Sequence, residues 1–157
     1  MSWAPSPETL EKIEEVVRRY PQKGAALLPV LHLLQKDTGF ISPEAEKWAA
    51  GFLGVPPIRV REVLSFYTLF RRAPVGRHVI QVCRNLRCAL AGADDILDWF
   101  KRELGISPGD TTPDGKFTLL VAECLGNCDH APCLMVDDDD HGPVTVDRLG
   151  NLLKGLE

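Results

Sequence analysis

No excess of basic residues marks this sequence: 18 lysines and arginines stand against 22 aspartates and glutamates, giving a net charge of −4 and a pI near 5.6. Without a cationic patch or a polybasic arm there is little to attract a phosphate backbone or an acidic membrane surface, so nucleic acid is not expected as a partner. Long hydrophobic runs are also missing. The most apolar stretch, GAALLPVLHLL, is too short to span a bilayer, and the opening residues MSWAPSPETL carry neither a charged leader nor an apolar h-region. A cytoplasmic chain with no direct membrane insertion is expected. No G-x-G-x-x-G follows a strand and no Walker A loop occurs, so nothing in the chain suggests that it binds a nucleotide cofactor by itself. Internal repeats and low-complexity tracts are absent.

What is present suits a globular fold. The 157 residues, 45% of them hydrophobic, suffice for one compact domain or for a small domain with a helical extension. Ser6 and Pro7 form a cap and first-turn pair, and Leu10, Ile13, Val17 and Tyr20 recur at helical spacing, which predicts a helix ending near Pro21. A second helix is expected to begin close to Pro29, since proline is tolerated in a first turn. Ser42 and Pro43 repeat the cap signal, and VPPIRVREVLSFYTLF opens a further apolar-periodic stretch. Residues 1–75 therefore read as a helical N-terminal region.

The character changes at RAPVGRH. HVIQVC reads as a buried strand from its length and β-branched content, and AGADDILDWFKRELG places Ile96, Leu97, Phe100 and Leu104 on one helical face with Gly105 as terminator. After the polar loop ISPGDTTPDGK come a second apolar strand, FTLLVAE, and a hairpin expected from CLMV and GPVTV across an acidic turn. A last helix should follow, with Asp147 as its N-cap. The order β-α-β-β-β-α, with a helical crossover making the first two strands parallel, predicts an α/β fold for residues 76–157: a mixed, thioredoxin-like four-stranded sheet with helices packed on it.

Five cysteines punctuate this second part. Cys83 and Cys88 are spaced C-x4-C, and Cys124 and Cys128 are spaced C-x3-C, with 35 residues between the pairs. A reducing compartment favours ligands or catalysts over disulfides, and the odd count fits four ligands and one bystander. Cys83 ends the first strand and Cys124 lies just past the second, so parallel strands bring both pairs to one rim of the sheet, where α/β folds commonly place ligands. Four thiolates suit a [2Fe–2S] cluster or a tetrahedral zinc ion. The wide loops lean toward iron, because structural zinc usually takes a tight C-x2-C knuckle; the missing C-x-x-C also weighs against a thioredoxin-type redox pair. Zinc, a thiol pair and scattered core cysteines stay open on spacing alone.

In FYTLF, PVGRHVIQVC, GISPGDTTPDGKFTLL and ECLGNCDHAP, taken in that order, nearly the whole chain resembles the E-subunit (24 kDa subunit) family of respiratory NADH:quinone oxidoreductase, complex I. The resemblance implies a helical region followed by a thioredoxin-like ferredoxin domain, with Cys83, Cys88, Cys124 and Cys128 as ligands of one [2Fe–2S] cluster. It implies an electron-transfer subunit of an NADH dehydrogenase without a complete active site of its own. FMN and NADH would be held by a partner flavoprotein subunit, alongside further complex I subunits, and the assembly would lie peripherally on the cytoplasmic side of the inner membrane. Related subunits occur in NAD-dependent formate dehydrogenases and NAD-reducing hydrogenases, and a zinc-stabilised interaction module is the reading from another class.

Other residues weigh less. Arg84 and Arg87 lie inside the first cysteine loop and would raise a cluster's potential if their charges stayed near the sulfurs; solvated loop charges would have little effect. Cys133 makes CDHAPC look like another C-x4-C unit, but it starts an apolar strand where a free cysteine behaves as a small hydrophobe, and the family does not use it. Asp137 to Asp140 lack the alternating ligands and distal Glu of an EF-hand and read as a solvated hairpin tip. His32, His78 and His130 have no companion nucleophile, and SFYTLF reads as core or subunit contact.

Overall fold

The computed structural model describes residues 3–156. The chain forms two compact units, one ending at Pro74 and the other beginning at Val75.

In the first unit, Ser6 caps α1 (Pro7–Val17): its hydroxyl accepts the Thr9 N–H at 3.3 Å, and Pro7 occupies the first turn, where its missing donor costs nothing. The helix stops short of Pro21, because the Arg19 and Tyr20 N–H groups bond to carbonyls three residues back and tighten the chain into turns. A short 3-10 turn, Lys23–Ala26, leads into α2 (Leu27–Thr38), which takes Pro29 in its first turn. Helix α3 (Pro43–Leu53) repeats the serine cap through Ser42, and α4 (Pro57–Phe66) follows. Ile13, Val30, Leu31, Leu34, Ala49 and Val60 fill the centre of this unit. The Asp37 carboxylate ties the end of α2 to the start of α1, accepting from the Ser6 N–H at 2.9 Å, the Ser6 hydroxyl at 2.6 Å and the Thr9 hydroxyl at 3.0 Å. The stretch SFYTLF divides: Phe70 joins the core, while Phe66 and Leu69 remain exposed.

The second unit holds β1 (His78–Cys83), α5 (Leu86–Leu90), α6 (Ala93–Leu104), β2 (Phe117–Ala122), β3 (Leu134–Val136), β4 (Asp139–His141) and α7 (Val146–Lys154). The sheet order is β2-β1-β3-β4, with β1 parallel to β2 and antiparallel to β3. Ile80, Val82, Leu119 and Leu134 of the sheet share one buried cluster with Ile96 and Phe100 of α6 and Leu149 of α7. The mixed, thioredoxin-like sheet preceded by helices is thus as the sequence predicts.

The hairpin differs in detail. Its second strand is the acidic run itself, Asp139–His141, not GPVTV. Asp137 takes a positive φ of 53°, and its carboxylate accepts the Val79 N–H at 2.9 Å and meets His78 Nδ1 at 2.7 Å. These bonds fix the turn early, so the strand returns on the aspartates, and Pro143 has no N–H to extend the ladder. Helix α7 follows Thr145, which sits at the cap position expected for Asp147; Asp147 falls in the first turn, where its charge suits the helix N-terminus. Helix α5 is an addition, too short to show a period.

Candidate metal centre

The sulfurs are positioned by the ends of strands. At the end of β1, the Cys83 N–H donates to the Cys133 carbonyl at 3.1 Å, and the next N–H, of Arg84, donates to Ala122 of β2 at 3.0 Å. The strand is therefore held on both sides at the point where it delivers Cys83. One turn on, α5 presents Cys88, and both thiols are buried. Across the parallel pair, Cys83 is in register with Ala122, so β2 delivers Glu123 and Cys124 to the same rim. Cys83 Sγ lies 3.9 Å from the Glu123 carbonyl oxygen. The loop then turns at Gly126 (φ 80°), a backbone conformation that glycine adopts without steric cost, and the Gly126 N–H donates to Cys124 Sγ at 3.4 Å. A short 3-10 turn, Cys128–His130, completes it. Cys124 and Cys128 are exposed, and all five cysteines are free thiols.

The structure also brings in Cys133. The β1–β3 register sets Val82 against Leu134 and hence Cys133 beside Cys83. Cys133 Sγ lies 3.7 Å from Cys88 Sγ, and the sulfurs of Cys83, Cys88 and Cys133 are all within 4.8 Å of one another. Cys133 is buried in the apolar cluster, in keeping with a small core residue, yet spacing alone does not reveal its contact with two other thiols. The pairing of the hairpin with β1 is the signal that carries it.

Crowding of thiols shapes their acidity. Burial chiefly pushes the Cys133 thiol up to about 12, helped by its hydrogen bond to Cys88 and by the charges of Cys88 and Cys83. Cys128 is raised above the ordinary thiol range, first by the charge of Cys124, then by partial loss of hydration and by its hydrogen bond to Cys124, with Cys88 and Cys83 adding to it. Thiolates that repel one another in this way are stabilised together by a cation, and a bound metal deprotonates its thiols outright. The close group is Cys83, Cys88 and Cys133, and Cys124 and Cys128 stand outside it on the exposed loop; soft sulfur donors of this kind suit an iron–sulfur cluster or zinc.

The remaining candidates have other occupations. Arg84 Nε donates to Glu123 Oε1 at 2.9 Å in an exposed ion pair, and Arg87 is exposed on α5. His130 Nδ1 meets Asn127 Oδ1 at 2.9 Å, His32 packs on Phe70, and His78 is taken by Asp137. The Asp137 carboxylate is spent on β1, and Asp139 and Asp140 are strand residues.

A parallel strand pair with thiols at its carboxyl ends, a hairpin alongside and helices on the sheet define a thioredoxin-like metal-binding domain. Residues 13–157 match the family model for the thioredoxin-like [2Fe-2S] ferredoxin, and the chain belongs to that family. It is 42% identical over 146 residues to an NADH-quinone oxidoreductase E-subunit of Rhizobium meliloti, covering 93% of this chain and 87% of that one. It is also 42% identical over 147 residues to NADH-quinone oxidoreductase subunit 2 of Thermus thermophilus, covering 92% and 81% respectively. Among solved structures, an NAD+-reducing [NiFe]-hydrogenase in the air-oxidized state shares the fold, with a TM-score of 0.73 at 21% identity over 83% of this chain. The chain spans only 22% of that structure's length. No helix among the described residues is long and apolar enough to cross a membrane.

Proposed function

We propose that this chain is the electron-transfer subunit of an NADH:quinone oxidoreductase, holding one [2Fe–2S] cluster through Cys83, Cys88, Cys124 and Cys128. The observation that carries the reading is the pairing of β1 with β2: the strands are parallel and in register from His78 with Phe117 to Cys83 with Ala122, and both cysteine pairs follow at their carboxyl ends. Relatives 42% identical over most of the chain, named as subunits of NADH-quinone oxidoreductase, support the host enzyme.

When bound, the cluster supplies one-electron transfer, the natural complement of a flavin that accepts a hydride and releases its electrons singly. The chain's own residues divide the remaining work. Cys83 and Cys88 anchor from the buried side, on a strand end and a short helix whose positions the sheet fixes. Cys124 and Cys128 close the exposed side, and the Gly126 N–H offsets negative charge on Cys124 sulfur. That exposed loop is the face open to a partner, an FMN- and NADH-binding flavoprotein subunit within a peripheral arm on the cytoplasmic side of the membrane. Residues 1–75 serve as the helical docking region and residues 76–157 as the cluster domain.

The test is the visible spectrum of anaerobically purified protein with iron, sulfide and zinc analysis, followed by electron paramagnetic resonance after dithionite. A red-brown protein with equal iron and sulfide, silent until reduced and then giving a rhombic signal, is expected. A colourless protein holding zinc and no sulfide would overturn the reading. Co-purification with a molybdenum, tungsten or nickel subunit would instead assign the chain to a formate dehydrogenase or a hydrogenase.

A further inference from the structure

We infer that Cys83, Cys88 and Cys133 form a second, mononuclear metal site, which takes a thiophilic divalent cation of the zinc class when the protein carries no cluster. The three sulfurs come from three separate pieces of backbone: the end of β1, helix α5 and the residue before β3. All three side chains are buried, and their sulfurs already lie within 4.8 Å of one another. A tetrahedral thiolate site with metal–sulfur bonds of about 2.3 Å places its sulfurs about 3.8 Å apart. Cys88 and Cys133 stand at 3.7 Å.

The backbone holds this group together without help from the exposed loop. The Cys83 N–H donates to the Cys133 carbonyl at 3.1 Å, and the Arg84 N–H is fixed to β2, so two of the three ligand-bearing residues are tied across the sheet. By contrast, Cys124 and Cys128 sit on an exposed turn. A d10 ion takes no geometric preference from its d electrons, so it can accept three preplaced thiolates. On binding, three S–H bonds are exchanged for three metal–sulfur bonds, and the three protons pass to solvent. No electron moves.

Cys83 and Cys88 belong to both sites, so the ion and the cluster exclude each other; that consequence rests on the cluster ligands proposed above, whereas the three-thiol site itself does not. Cys133 is the residue that separates the two sites, since only the mononuclear one uses it. A cluster-free chain would therefore compete with cluster assembly whenever zinc is available.

The experiment uses the full chain, freed of cluster with chelator under reducing, anaerobic conditions. It is titrated with Co2+, whose thiolate-to-metal charge-transfer absorption reports sulfur ligation, and then with Zn2+ in competition with a chromophoric chelator. The wild type is expected to bind one ion with intense charge transfer. Cys133→Ala should lose much of that absorption and bind Zn2+ about a hundredfold or more weakly, since even outer-shell changes cost about 10–100-fold. The Cys124→Ser/Cys128→Ser double variant should stay within about tenfold of wild type, the lower end of that outer-shell range. Circular dichroism checks folding, and Cys133→Ser, nearly the same size, stands in if the alanine variant unfolds. Unchanged spectrum and affinity in the Cys133 variants would overturn the inference, as would loss of the ion in the double variant. Cluster assembly on the wild type is measured separately, so failure of the ferredoxin reading and failure of the zinc site are told apart.

Discussion

Replacing Gly142 by alanine tests the geometry that links the hairpin to the cysteine loop. A Cβ built at this position would lie 2.3 Å from the backbone oxygen of His130, 3.0 Å from His130 Cβ and 3.2 Å from Cys133 Cβ. The nearest obstacle is a backbone atom, which cannot swing aside as a side-chain end can. To reach even a 3.0 Å separation, the His130 carbonyl must retreat by roughly 0.7 Å. His130 lies between Cys128 and Cys133, so that retreat drags on both. Overpacking of this kind costs about 1–3 kcal/mol, partly offset by the roughly 0.4–1 kcal/mol that alanine gains by restricting the unfolded chain. A net loss of about 1–2 kcal/mol lowers the melting temperature by roughly 2–8 °C for a chain of this size. Gly51→Ala is the built-in control: nothing lies within 4 Å of a Cβ at that helical position, so the same substitution should stabilise by about 0.5–1 kcal/mol. Differential scanning calorimetry of both variants, with iron content after anaerobic purification, gives the result. A Gly142→Ala protein that melts at or above the wild type and keeps all its iron would refute the close approach.

Two further predictions concern charge. Asp37→Asn sets an amide N–H2 against the Ser6 N–H or hydroxyl and should cost about 1 kcal/mol at neutral pH, allowing for partial exposure to water. Hydrogen bonds from Ser6 hold the Asp37 carboxyl below its ordinary range, so its stabilisation is complete above the unfolded carboxyl's pKa of about 4 and is lost as the pH falls toward the folded value. Urea titrations should show the gap between wild type and variant closing below about pH 4, and a gap unchanged at pH 3 would contradict this account. Arg84→Gln should lower the reduction potential by less than about 40 mV, the one-electron equivalent of the roughly 1 kcal/mol carried by an exposed charge pair. Glu123 already holds that guanidinium, and a spectroelectrochemical shift several times larger would show that its field reaches the sulfurs.

Where the sequence speaks in local chemistry, it is readable. Ser6–Pro7 and Ser42–Pro43 mark helix starts because the serine oxygen and the proline ring each solve a problem particular to that turn, and Gly105 ends α6 in the left-handed conformation. The meeting of Cys83 with the end of β2 follows from topology, since a helical crossover makes neighbouring strands parallel. Strand β4 carries no such signal: a three-residue edge strand bonded on one side needs no apolar alternation, so Asp139–His141 reads as a turn. Helix α5 is five residues long, with Leu86 and Leu90 exposed, and leaves no period to detect. Cys133 is legible as a core residue by its apolar neighbours, but its place beside Cys88 depends on the antiparallel register of β3, which spacing along the chain does not encode.

The acidic run that reads as a loose hairpin tip also governs how the sheet ends. On the far side, β2 is covered by the chain's own loop: the Gly109 N–H donates to the Leu119 carbonyl and the Leu119 N–H to that of Asp110. On the near side lies β4, only three residues long, with Asp139 and Asp140 exposed upon it. A strand from a neighbouring molecule would find its hydrogen-bonding partners occupied at one border and repelling carboxylates at the other. Neither border of the sheet is thereby suited to edge-to-edge pairing with another strand.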